Sequence, residues 1–264
     1  MTHDDDLIAF AAHGPALLPL SGVFGTVQNN GARIWYAACG NGPPVILLHG
    51  GGGNSRNFGY QVPALIAAGY NPVVIDSRGH GRSTMDNQPF SYTLMATDVR
   101  AVMDTLGIAT AAIVGWSDGA ATGLVMAKET PDRVSRLFFF GCNVDPTGTK
   151  PFVYTDTIGR CLERHKKDYA ELSPTPDKFD VMFEALQPMQ REQPNYSAAD
   201  LAGIAVPVTV AQAEHDEFIK PEHAGYIART IPGARLVTLS GVSHFAPLQR
   251  PEVFNEAVLD FLGR

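Results

Sequence analysis

An α/β protein, with a mostly parallel sheet covered by helices on both faces, is the fold class this sequence predicts, on three observations. Short apolar, β-branched runs recur along the chain, segments of helical period separate them, and the alternation lapses once, between residues 145 and 200. A length of 264 residues with 45% hydrophobic content suffices for one large core. A single domain over 1–264 is therefore expected, with 145–200 inserted into it.

The elements follow in order. "GVFGTVQNNGARIWYAAC" reads as two strands around Asn30–Gly31, a dipeptide that tolerates the positive φ of a tight hairpin turn. "PPVILLHG" is continuously apolar, as a strand buried on both faces must be. A helix near Ser55–Ala68 precedes the strand "NPVVID". Leu94, Val99, Val102, Met103 and Leu106 keep helical spacing, with Ser91 as N-cap. "AAIVG" is the next strand, "DGAATGLVMAKETP" a helix ended by Pro131, and "VSRLFFFG" the sixth strand. Residues 145–200 hold short helical pieces such as "KFDVMFEALQPM" between proline-containing turns. Alternation resumes with "VPVTVAQA", a helix near Pro221–Ile231, "RLVTLSG" and a closing helix in "PEVFNEAVLDFLGR".

Composition excludes several functions. Only 18% of residues are charged, the net charge is −7, and no Lys/Arg run exists to meet phosphates. No nucleic acid and no membrane surface is expected as a partner. Cys39, Cys142 and Cys161 lie far apart without a CxxC, so neither a disulfide framework nor a zinc site is signalled. No apolar run approaches the length of a membrane span, and "MTHDDDLIAFAAHGPALLPL" carries three aspartates where a secretory signal needs positive charge. A soluble, reduced, cytoplasmic protein is the expectation; a homodimer stays open.

In open parallel sheets, ligands bind outside the carboxyl ends of the strands. Those ends carry His49–Gly53, Asp76, Gly115–Gly119, Gly141–Asp145, Glu214–Glu217 and Val242–His244. In "IVGWSDGAATG" a buried strand runs into Ser117 between Gly115 and Gly119, and a helix rich in small residues follows. A sharp strand-to-helix turn strains the serine backbone and needs flanking residues without Cβ atoms. Ser117, an acid and then His244, each at its own strand end, supply what activation of a hydroxyl requires: a base for the proton and a carboxylate to orient the base. Asp216 fits the acid's place, with Glu214, Glu217 and Asp145 as competitors. A dinucleotide site at the glycine run fails, because G-x-G-x-x-G from Gly50 meets Ser55 and from Gly51 meets Arg56. No Gly-Lys-Ser/Thr follows either, so a Walker loop fails as well. Among the histidines, His3, His13, His165 and His223 form no H-E-x-x-H or ligand cluster, so no metal is expected.

From Gly31 to the C-terminus the chain resembles the α/β-hydrolases, through "LLHGGGGNS", "VIDSRGHGRS", "GWSDG", "AEHDEFIKP" and "GVSHFAPLQRPEVFNEAVLDFL". The similarity is to small esterases, enol-lactonases and valacyclovir-hydrolase-like members. It implies a small helical cap inserted after the sixth strand and no cofactor. It places oxyanion donors on the amides of Gly51 (or Gly52) and Asp118, with the Asp118 carboxylate incidental. His49 becomes a scaffold for that loop, and Asp76, Arg78, Gly79, His80, Arg82 and Ser83 a structural turn. Trp116, Gly52 and Phe245 are expected to touch substrate. Phe152, Tyr154, Tyr169, Phe179, Met182, Phe183, Leu186 and Met189 either line an apolar pocket or hold the cap on the sheet. The implied reaction is hydrolysis of a small, largely apolar ester or lactone. Peracid formation or cofactor-free haloperoxidase chemistry, C–C bond hydrolysis and non-catalytic binding are the alternatives.

Overall fold

The computed structural model describes residues 3–19 and 22–263. The hairpin comes first: β1 (Val23–Asn29) pairs antiparallel with β2 (Ala32–Ala38), and Asn30 and Gly31 turn between them at φ 44° and 87°. Next come β3 (Pro44–Leu48), β4 (Asn71–Ile75), β5 (Ala111–Trp116), β6 (Val134–Phe140), β7 (Val208–Ala213) and β8 (Arg235–Leu239). They assemble into one sheet of order β1-β2-β4-β3-β5-β6-β7-β8. Only the β1–β2 and β2–β4 pairings are antiparallel.

Between the strands run α2 (Gln61–Ala67), α3 (Tyr92–Thr105), α4 (Asp118–Glu129) and α8 (Pro221–Thr230), and after β8 come α9 (Ala246–Gln249) and α10 (Pro251–Leu262). Ser91 caps α3 by accepting from Leu94 N at 3.1 Å. The helix expected over Ser55–Ala68 is broken: a 3₁₀ turn at Ser55–Phe58 ends at Gly59, and α2 starts at Gln61. A helix at the N-terminus, α1 (Ile8–His13), was not anticipated.

Between β6 and β7 lie α5 (Asp156–Leu172), α6 (Phe179–Glu192) and α7 (Ala198–Ala202). The short pieces expected there are corrected by α5, a helix of 17 residues capped by Thr155. Ile158, Cys161, Leu162, His165 and Tyr169 recur along it at helical spacing, a signal masked by its many charges. Helix α6 runs through Pro188.

Alternate residues of the central strands enter two apolar clusters, one on each face of the sheet. Ile46, Leu48, Ile113, Leu137 and Phe139 meet α3, α4 and α8 on one face. Val45, Leu47, Val114, Phe138 and Phe140 meet α2 and α10 on the other. Phe138 is fully buried, with its ring edge-on to Phe254 at 5.7 Å and tilted against Phe261 at 5.5 Å. Phe138→Ala removes that ring from a site that cannot collapse around the gap, at an expected cost of about 3–5 kcal/mol. A fall in the denaturant midpoint measures it. Among the described residues no helix is long and apolar enough to cross a membrane.

Candidate active site

The turn from β5 into α4 holds Ser117 at φ 54° and ψ −122°, a region that costs a non-glycine residue on the order of 1–3 kcal/mol. Its N–H donates to Phe140 O at 2.9 Å, and its carbonyl accepts from Ala120 N and Ala121 N at 2.7 and 3.1 Å. These bonds hold the strain in place. A Cβ on Gly119 would press into the carbonyls of Leu48 and His49, so the helix start can lie this close to β3 only with glycine there. The Ser117 hydroxyl caps nothing.

His244 lies in the loop from β8 to α9, buried, with Nδ1 3.1 and 3.2 Å from Asp216 Oδ2 and Oδ1. Asp216 follows β7, and its Oδ1 also accepts from Phe218 N at 2.9 Å and Ile219 N at 3.0 Å. An acceptor on Nδ1 fixes the neutral ring with its proton there and leaves Nε2 as the free lone pair. Burial alone would raise the Asp216 pKa, but the neighbouring His244 and the two amides carry it below its ordinary value. For His244 burial pulls downward and the Asp216 charge and hydrogen bond outweigh it, so its pKa rises above 6.5.

The competing acids stand elsewhere. Glu217 Oε2 accepts from the His244 backbone N at 2.9 Å, Glu214 accepts from Gly241 N at 2.8 Å, and Asp145 Oδ1 accepts from Thr147 N at 2.8 Å. Asp216 alone among them meets the His244 ring.

Ser117 and His244 line one cavity of about 540 Å³, together with Gly51, Trp116, Asp118 and Phe245. The N–H groups of Gly51 and Asp118 donate to no protein acceptor among the described residues. Gly52 departs from expectation. It is absent from the cavity lining, and its N–H donates to His80 Nε2 at 3.1 Å, which removes it as a donor to a ligand. His80 can accept there because its Nδ1 proton is held by Arg78 O at 2.9 Å and burial pushes its pKa down to about 4. His49 is a brace of the same kind: Nε2 accepts from Ser77 N at 3.0 Å while Nδ1 meets Gly50 O at 2.8 Å. Asp76 accepts from Ser55 N at 2.8 Å and Arg82 N at 2.9 Å, and Arg78 forms a buried pair with Asp98. All of these secure loops beneath the cavity.

Tyr92 and Gln190 escaped sequence reasoning, as did Asn143, Thr149, Gln187 and Arg191, which also line the cavity. Tyr92 OH donates to Asp118 Oδ1 at 2.8 Å, and Gln190 Nε2 of α6 donates to Asp118 Oδ2 at 2.9 Å. The Asp118 carboxylate, incidental to donation by its own amide, is thus a bridge between α3, α4 and the inserted helices. Burial raises its pKa; the bonds from Gln190 and Tyr92 pull the other way without cancelling the rise. The apolar wall comes from Ile158, Leu162, Phe183 and Phe218. Of the residues proposed for it, Phe152, Tyr154 and Phe183 line the cavity, whereas Tyr169, Phe179, Met182, Leu186 and Met189 are buried where the inserted helices join the core. Cys142, Cys161 and His165 also face the cavity, with burial holding both thiols' pKa values up and the imidazole's down at about 3. Among the described residues no group of three or more metal-ligating side chains gathers.

Comparison with known proteins agrees with this fold. The family model described as alpha/beta hydrolase fold matches residues 43–154. A protein of Azorhizobium caulinodans provisionally named carbamate hydrolase RutD is 28% identical over 262 residues, covering 88% of this chain and 96% of its own. The 2-hydroxy-6-oxononadienedioate/2-hydroxy-6-oxononatrienedioate hydrolase of Escherichia coli K12 is 25% identical, covering 88% and 91%. Among solved structures, the enol-lactonase from Burkholderia xenovorans LB400 superposes with a TM-score of 0.73 at 25% identity, over 91% of this chain and 100% of that one.

Proposed function

We propose, from the premise that this chain has the α/β-hydrolase fold, that it is a serine hydrolase acting on a carboxylic ester or lactone of a small, largely apolar molecule. One observation carries the reading: an uncapped Ser117 hydroxyl on a strained turn shares a cavity with His244, whose other nitrogen is bonded to a buried carboxylate. His244 Nε2 takes the Ser117 proton as Oγ attacks the carbonyl carbon. Asp216 keeps the imidazole in the needed tautomer and stabilises the imidazolium. The negative charge forming on the carbonyl oxygen is met by the amides of Gly51 and Asp118, each worth roughly 3 kcal/mol in such a role. His244 returns its proton to the leaving alkoxide, and a water activated by the same ring hydrolyses the acyl-enzyme. A cavity of about 540 Å³ walled by Ile158, Leu162, Phe183 and Phe218 supports a compact apolar substrate and no polymer.

The relatives are named as a carbamate hydrolase, a 2-hydroxy-6-oxononadienedioate hydrolase and an enol-lactonase, so substrates must be compared side by side. Short-chain nitrophenyl esters and simple lactones are expected to turn over faster than a meta-cleavage-type vinylogous diketone, and a fluorophosphonate is expected to label Ser117. Faster diketone cleavage would replace ester hydrolysis with C–C hydrolysis, and labelling at another residue would remove Ser117 as nucleophile.

A pH dependence follows from the Asp216 contact. Only neutral His244 can accept the serine proton, and Asp216 favours the charged ring, so the acid limb of kcat/KM is expected to have its midpoint above 6.5. A pH profile with a nitrophenyl ester reads this directly.

A further inference from the structure

The loop that carries His244 is fixed by residues from the opposite end of the chain. Gln249, at the end of α9, is 5% exposed and bonds through both ends of its amide. Its Oε1 accepts from Ser243 N at 2.9 Å and Ser243 Oγ at 2.8 Å, and its Nε2 donates to Asp5 O at 2.7 Å. Ser243 Oγ accepts in turn from Phe245 N at 3.3 Å, so both neighbours of His244 are tied to one side chain. Asp4 N donates to Gln249 O at 2.9 Å, and the Asp5 carboxylate receives Arg250 Nε and Nη2 at 2.7 and 2.9 Å.

The same segment grips the insertion. Asp6 O accepts from Arg160 Nη1 of α5 at 3.1 Å. The Asp4 carboxylate accepts from Ala9 N and Phe10 N at 3.1 and 2.7 Å and so starts α1. Phe10 of that helix packs edge-on against His165, a cavity residue, at 6.0 Å. Leu7 is fully buried in the apolar cluster that holds Trp116, Ile158 and Phe245. The three consecutive aspartates, which in the sequence only argue against a secretory signal, are thus each attached, Asp4 and Asp5 to Gln249 and Arg250 at the end of α9 and Asp6 to α5.

We infer that Asp4–Leu7 is a clasp that sets the His244 loop against the cap, with Gln249 as the positioning residue through which it acts on the base. The inference rests on His244 being the base in the reading above. A displacement of about 1 Å at a catalytic group lowers a rate on the order of a hundredfold, so a buried amide that anchors both flanking residues has leverage on turnover without touching substrate.

Gln249→Glu separates the two halves of the clasp. The variant keeps an acceptor for Ser243 but sets a carboxylate oxygen against Asp5 O in place of a donor. Three readouts apply: the rate constant for fluorophosphonate capture of Ser117, kcat and KM for p-nitrophenyl butyrate, and the pH profile of kcat/KM. The expected result is a loss of about tenfold in capture rate and kcat, KM within about twofold, and an acid limb displaced from the wild-type midpoint as the His244–Asp216 contact changes. A smaller folded fraction would scale the amplitude of capture and leave its rate constant and the pH midpoint where they were. Arg250→Ala, which breaks only the partly exposed pair with Asp5, is expected to shift the same quantities in the same sense by about threefold, and it decides the matter if Gln249→Glu does not fold. Folded variants with wild-type capture rate and an unmoved limb overturn the clasp alone. Wild-type protein that is not captured at Ser117 overturns the role of His244, and the clasp with it.

Discussion

Ser117→Ala is expected to lower kcat for a short-chain ester by roughly four to six orders of magnitude while leaving the protein folded. The substitution deletes one oxygen that caps no helix, so little packing is lost with it. The strained backbone is retained as well, because alanine meets the same restriction at φ 54° as serine does. What disappears is the only route to an acyl-enzyme. A residual rate above solution hydrolysis should survive from binding and from the Gly51 and Asp118 amides, which the substitution leaves in place. Stopped assays at high enzyme concentration, with the thermal midpoint as control for folding, measure both parts. A variant that retained more than a tenth of the activity would show that the hydroxyl is not the nucleophile.

Asp216→Asn ranks second, with an expected loss of about 10⁴-fold in kcat. An asparagine amide can present its N–H to His244 Nδ1 and so favour the wrong tautomer, with the proton on the nitrogen that must face the serine. The electrostatic consequence is separate and has a definite sign. Burial of His244 disfavours its charged form, and Asp216 is what overrides that. Without the carboxylate charge the His244 pKa falls, so the acid limb of the remaining activity moves to lower pH in the variant. A profile that keeps the wild-type midpoint would mean that another carboxylate, Glu217 being the nearest along the chain, governs the ring. Glu217 lies against the backbone N of His244 and its charge also favours protonation, which makes Glu217→Gln the natural companion measurement.

Most of what positions these groups was legible because it is local. The continuously apolar runs at β3, β4 and β5, the two glycines about Ser117 and the N-cap at Ser91 each announce themselves within a few residues. Asp216 is favoured over Glu214 and Glu217 by its place after β7, and the contact that separates the three is spatial: one of three neighbouring carboxylates meets the ring. The illegible part is carried by single side-chain bonds across long loops. Gln190 reaches Asp118 over 72 positions and Gln249 reaches Asp5 over 244, and neither glutamine differs in sequence from a solvated surface residue. Gly52 misled for a related reason. A glycine run marks where the backbone approaches a ligand, but which of its amides is free depends on His80, 28 positions later.

The bridge from Gln190 to Asp118 constrains how this fold could acquire new specificities. Exchanging residues 145–200 for the corresponding segment of another hydrolase looks like a modular graft, since both ends of the segment leave and rejoin the sheet at adjacent strands. Here the transplant would strip one donor from a carboxylate that sits directly after Ser117, leaving a desolvated oxygen with a cost of about 1–3 kcal/mol at the cavity wall. Recombination that carries Tyr92 and Gln190 together, or that replaces Asp118 along with them, keeps the junction neutral; lid and floor in this molecule are inherited as a pair.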